Sequence, residues 1–136
     1  ARRRAARAFM GRDAALQAVA FQEGGDYAPT LPGLAAALEL APTDPLLLYA
    51  FAFARNELGE AALEQGATPA VRADFAAAAA RGTRLERARA HRNLGSWWQA
   101  SGRPDSARVE FETALRLEPA LRSARDELSA LPPRHH

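Results

Sequence analysis

Residues 90 to 119, AHRNLGSWWQASGRPDSARVEFETALRLEP, constrain the fold of this chain more than any other stretch. Leu94, Gly95 and Trp98 recur at the three-to-four-residue interval of one helical face, and Gly95 is small enough to admit a second helix at close range. Gly102 suits the left-handed conformation that ends a helix, and Pro104 suits the first turn of the next, so the spacing predicts a break at 101 to 104. Ala107, Phe111, Ala114 and Leu115 then form a second apolar stripe, which Pro119 terminates after Leu117. The segment reads as two antiparallel helices.

One such hairpin cannot bury its apolar face alone, so copies are expected elsewhere in the chain. Residues 11 to 44 carry one: Phe21, Gly25, Leu34, Ala37, Leu38, Leu40 and Pro42 repeat the positions of Trp98, Gly102, Phe111, Ala114, Leu115, Leu117 and Pro119 at a constant offset of 77 residues. Between them, residues 45 to 87 read as a divergent middle unit. Its first helix opens at Pro45, with Thr43 or Asp44 as N-cap, and places Leu48, Phe51, Ala52 and Arg55 on one face before Gly59. Its second helix starts at Pro69 and packs through Phe75, Ala78 and Ala79. Two periods of 34 leave about nine residues over, which are expected to lengthen the turn at 59 to 68 and the link at 81 to 87.

The pattern over about residues 11 to 121 resembles the tetratricopeptide repeat, a 34-residue helical hairpin whose tandem copies stack. It is clearest in the third unit, 88 to 121. The first unit departs from it where Gln17 and Ala18 replace the leucine and glycine, and where Thr30 replaces Ala107. The resemblance implies an all-α fold, a right-handed α-solenoid of three hairpins, and a noncatalytic scaffold that binds a protein or peptide. Residues 120 to 131 put Leu121, Ala124, Leu128 and Leu131 on one face with a charged back, which reads as a helix capping the last repeat. Residues 132 to 136 read as a tail. Residues 1 to 10 form an arginine-rich extension outside any repeat, with three readings: a helical extension with a charged outer face, the flank of a membrane anchor, or a solvated tail.

The chain has 136 residues, an apolar content of 48% and only 7% aromatics, which fits one domain with an alanine-rich interior. All 18 basic residues are arginine, a usage associated with GC-rich bacterial genomes. The net charge of +2 gives little long-range attraction for nucleic acid. Cysteine is absent, which excludes thiolate chemistry and leaves cytoplasm and periplasm open, the cytoplasm being expected.

In the repeat family the first helix of each pair lines an inner groove. Transferred to this chain, that face carries Arg12, Val19 and Gln22 in the first unit, Tyr49, Phe53 and Asn56 in the second, and Arg89, Arg92, Ser96 and Gln99 in the third. A groove of this kind is aromatic in the middle and arginine-rich toward the third unit. It suits a partner with an apolar anchor and a carboxylate, because guanidinium pairs with carboxylate in a two-toothed geometry. Some family members clamp acidic chaperone tails. Arg89 and Asn93 fit part of that pattern, whereas Ala15, Val19 and Ala50 do not. Trp98 reads as core. Trp97 reads either as packed on a neighbouring element or as part of an interface patch that also supports self-association.

Nothing in the chain reads as a catalytic constellation, and no cofactor or metal is expected. His91 lies on the packed face as a structural histidine, and Glu110 and Glu112 stand two apart on a helix and cannot share a face. The competing class is a nucleic-acid-binding helical module built on Arg81, Arg84, Arg87, Arg89 and Arg92, although interspersed acids make that run look like a solvated face. A third reading makes the chain a regulatory domain of a larger enzyme or of a membrane-anchored protein.

Overall fold

The computed structural model describes residues 25 to 134. The 1 to 10 extension, the first helix expected in the 11 to 44 unit, and the groove residues Arg12, Val19 and Gln22 lie outside them, as do His135 and His136. The described residues form an all-helical fold. A single 3₁₀ turn, Ala28–Thr30, leads into α1 (Leu31–Leu40), followed by α2 (Pro45–Leu63), α3 (Pro69–Arg81), α4 (Arg84–Ala100), α5 (Pro104–Leu117) and α6 (Arg122–Ala130). Each helix packs on its successor, and α2 also packs on α4.

Proline and short polar caps set the helix starts. Asp44 is extended and its carboxylate accepts from Leu46 N at 2.9 Å and Leu47 N at 3.4 Å, while Pro45, which has no N–H, fills the first helical position. Thr68 caps α3 in the same way through Val71 N, ahead of Pro69. Three glycines with positive φ mark corresponding turns: Gly25 (76°), Gly66 (139°) and Gly102 (75°). A side chain is strained at such values, so glycine turns the chain there at least cost.

The middle unit follows the third closely. Gly59, expected to stop its first helix, lies inside α2, which runs on to Leu63. It is the counterpart of Gly95: a Cβ at Gly59 would overlap the Phe75 ring, just as one at Gly95 would overlap Phe111. Leu58 and Leu94, Gly66 and Gly102, Phe75 and Phe111, and Ala78 and Ala114 all stand 36 residues apart, as do the glycines themselves. A polar contact repeats with them, since Arg55 meets Asp74 at 2.6 Å and His91 Nδ1 lies 2.7 Å from Glu110 at the same interval. From Gly25, Leu34 and Ala37 to Gly66, Phe75 and Ala78 the interval is 41. The extra residues therefore do not fall mainly in the segments 59 to 68 and 81 to 87. They fall chiefly in the link 41 to 44 and in the longer helix α2, 19 residues against 17 for α4.

The interior consists of small patches between neighbouring helices. Leu34, Ala37 and Leu38 of α1 meet Leu47, Ala50 and Phe51 of α2. Ala52, Ala78 and Ala90 join α2, α3 and α4 where alanine permits close approach. Ala107 and Phe111 of α5 meet Leu131 just past α6, with Leu128 and Trp98 alongside. Ala124 of α6 is buried, and its Arg122, Arg125 and Asp126 are exposed.

Of the two readings of Trp97, the structure takes the packed one, on the preceding hairpin. Trp97 is buried, 7% exposed, against Val71 and Phe75 of α3, and its indole N–H donates to Thr68 O at 2.9 Å. Trp98 is half-buried, edge-on to Trp97 at 4.9 Å, with the guanidinium of Arg103 6.0 Å from its ring centre. Trp97 is therefore part of the interior and forms no exposed interface patch. Ala62, Leu63 and Ala67, at the end of α2 and ahead of α3, pack against the same cluster.

Candidate functional site

The parallel helices α2 and α4 share an open face that is apolar at one end and charged at the other. On α2 the residues Leu46, Tyr49, Phe53, Glu57, Glu60 and Glu64 follow one another at intervals of three or four, so they form one stripe. On α4 the matching stripe is Leu85, Arg89, Arg92, Ser96 and Gln99. Leu46 and Tyr49 are both 41% exposed and Leu85 is 56% exposed, which is high for large apolar side chains.

The aromatic end is ordered by ring contacts. Phe53, half-buried, lies 5.8 Å from Tyr49 in a stacked arrangement and 5.8 Å from Tyr27 in a tilted one. Offset and tilted rings match one another's quadrupoles, so the three aromatics hold one another in place. Tyr27 belongs to this site and was missed in the sequence, because it lies in a turn ahead of α1 where no periodicity marks it.

The arginines do not stand open. Arg89 Nη2 donates to Glu57 at 2.5 Å and also to Glu60, its Nη1 reaches Glu86 at 3.4 Å, and its guanidinium lies over the Phe53 ring at 5.3 Å. Arg92 donates to Glu60 at 3.0 Å. Burial works against the charge on Arg89. The bond from Glu57 and the fields of Glu60 and Glu86 outweigh it, and the pKa of the guanidinium is held above its ordinary value. The expectation that Arg89 and Arg92 await a partner's carboxylate is therefore corrected: carboxylates of α2 already occupy them.

Asn56 is corrected as well. It points inward, fully buried, and its amide donates to the Glu86 backbone carbonyl at 3.1 Å and to the Glu86 carboxylate at 3.0 Å. Its carbonyl oxygen accepts from Asn93 at 3.2 Å. Asn93 and Glu86 are also buried, so these side chains satisfy one another at the α2/α4 contact and offer nothing to a partner. Of the described groove residues expected from the sequence, Tyr49 and Gln99 are exposed, and Phe53, Arg89, Arg92 and Ser96 are half-buried on the open face.

The remaining arginines of the 81 to 92 run point in different directions. Arg84 pairs with Glu118 at 3.3 Å, Arg87 donates to Ala79 O, and Arg81 lies near the Phe51 ring. They do not form one track for a phosphate backbone. Among the described residues no group of three or more histidines and carboxylates is placed to hold a metal, and no helix is long and apolar enough to cross a membrane. Comparison of the chain with protein-family models, curated proteins and solved structures finds no match.

Proposed function

We propose that this chain is a noncatalytic interaction module, a right-handed α-solenoid of tetratricopeptide-like hairpins capped by α6, which docks a partner polypeptide on the shared face of α2 and α4. The observation that carries this reading is the exposure of Leu46, Tyr49 and Leu85 together at one end of that face. Apolar side chains this large are usually covered, and a cluster of them on a structured surface marks a contact area. The recurrence of Gly59 with Phe75 and of Gly95 with Phe111 supports the stacked architecture, because each pair brings two helices together in the same way. Enzymatic chemistry receives no support from the site, where each buried polar side chain has a structural partner in its neighbours.

The experiment is site-specific photocrosslinking in cells that make the protein. A benzophenone side chain at position 49 is expected to give a discrete adduct. The same group at position 109, where Val109 is 60% exposed on α5, is expected to give none. Adducts from position 109 alone, or the same diffuse pattern from both, would remove the α2/α4 face as the docking surface.

A further inference from the structure

The docking face has a polarity that the bare sequence conceals, and it specifies the charge of the partner. On the α2/α4 face, Glu57, Glu60 and Glu64 stand against Arg89 and Arg92, and Arg89 also meets the buried Glu86, so the carboxylates on the open face exceed the guanidiniums by one. Both arginines are engaged, whereas Glu64, at the end of α2, is exposed and has no cationic partner among the described residues. Glu57 and Glu60 keep 31% of their side-chain surface open, more than the arginines that hold them. The free capacity of this face is therefore for accepting hydrogen bonds and positive charge.

We infer that the partner segment is cationic: it seats an aromatic or aliphatic anchor on Leu46, Tyr49, Phe53 and Leu85 and places lysine or arginine against the Glu57–Glu60–Glu64 edge. This rests on the docking face proposed above and replaces the acidic partner that the sequence suggests. The helix sets the spacing. Glu60 is eleven residues beyond Tyr49 and Glu64 fifteen, which at the helical rise is ~16 to ~22 Å. An extended chain covers that distance in about five to seven residues. Anchor and cation should be that far apart in an extended partner, in either chain direction, since the stripe itself does not fix polarity.

The test is selection from a random twelve-residue peptide library displayed on phage, using the full chain as bait and the Tyr49→Ala chain as counter-selection. Enriched peptides are expected to carry lysine or arginine five to seven positions from an aromatic or leucine, and to bind the Glu64→Arg chain at least threefold more weakly. Glu64→Arg should leave the fold intact, because the side chain is exposed and a cation at a helix C-terminus is favourable. Enrichment of acidic peptides that still require Tyr49 would overturn the cationic assignment and leave the docking face standing. Peptides without charge bias, or no enrichment over the Tyr49→Ala chain, would also overturn it, and in the second case photocrosslinking at position 49 decides whether the docking face falls with it.

Discussion

Phe111→Ala is expected to lower the stability of the chain by about 3 to 5 kcal/mol, and Phe75→Ala by a similar amount. Both rings are fully buried, and each lies directly on a glycine of the preceding helix, Gly95 or Gly59. A glycine has no side chain to move into the vacated space, so the cavity stays open and the cost sits in the upper part of the usual range. The reverse change is informative too. Gly95→Ala should be destabilising with Phe111 present and much less so with Phe111→Leu, because the added methyl then has room. Urea unfolding of the four proteins measures this coupling. Equal effects of Gly95→Ala in both backgrounds would show that the two residues do not touch.

Asn56→Leu is expected to cost about 2 to 4 kcal/mol although it replaces a polar core residue with an apolar one of similar size. It removes two donors from Glu86 and leaves the Asn93 amide facing a methyl group. The buried carboxylate of Glu86 then retains one long contact, from Arg89 at 3.4 Å. An unpaired buried group costs more than its hydrogen bond contributed, and a charged one costs most. Replacing Asn56, Asn93 and Glu86 by leucine together should recover most of the loss, since nothing is then left unpaired; Arg89 keeps Glu57 and Glu60. Thermal melts of the single and triple variants check this. A single variant as stable as the parent would mean that the amides are not engaged as described.

These two sites show how far the residues could be read before the fold was known. The third unit was legible down to its turn, because Leu94, Gly95 and Trp98 on one side of Gly102 and Phe111 and Ala114 on the other leave one helical register. The middle unit was misread at Gly59. A glycine inside a helix and a glycine ending one look alike in a single chain, and only the ring packed on it distinguishes them. The signal was present in the pairs Leu58–Gly59 and Leu94–Gly95, and extending that match 36 residues from end to end would have found Phe75, Ala78 and Gly66 in place.

The open face was half legible. Tyr49, Phe53, Arg89 and Arg92 do share it, but what a side chain is free to do depends on which helix lies beside it. Glu57 and Glu60 are 32 and 29 residues from Arg89, so no local spacing links them. Their pairing follows from α2 and α4 running parallel in contact, and that contact engages the two arginines that the sequence alone leaves open. The cover of Trp97 stayed open between two readings for a related reason: it comes from Val71 and Phe75 of α3, which no local spacing links to it.

Central to all of this is that α2–α3 and α4–α5 are copies of one hairpin closed by the same contact. Nuclear Overhauser spectroscopy of the folded chain measures it directly. The account predicts strong cross-peaks from the Gly59 Hα protons to the Phe75 ring and from the Gly95 Hα protons to the Phe111 ring, with both sets shifted upfield by the ring currents. Cross-peaks at Gly95 alone, with Gly59 at random-coil shifts, would contradict it.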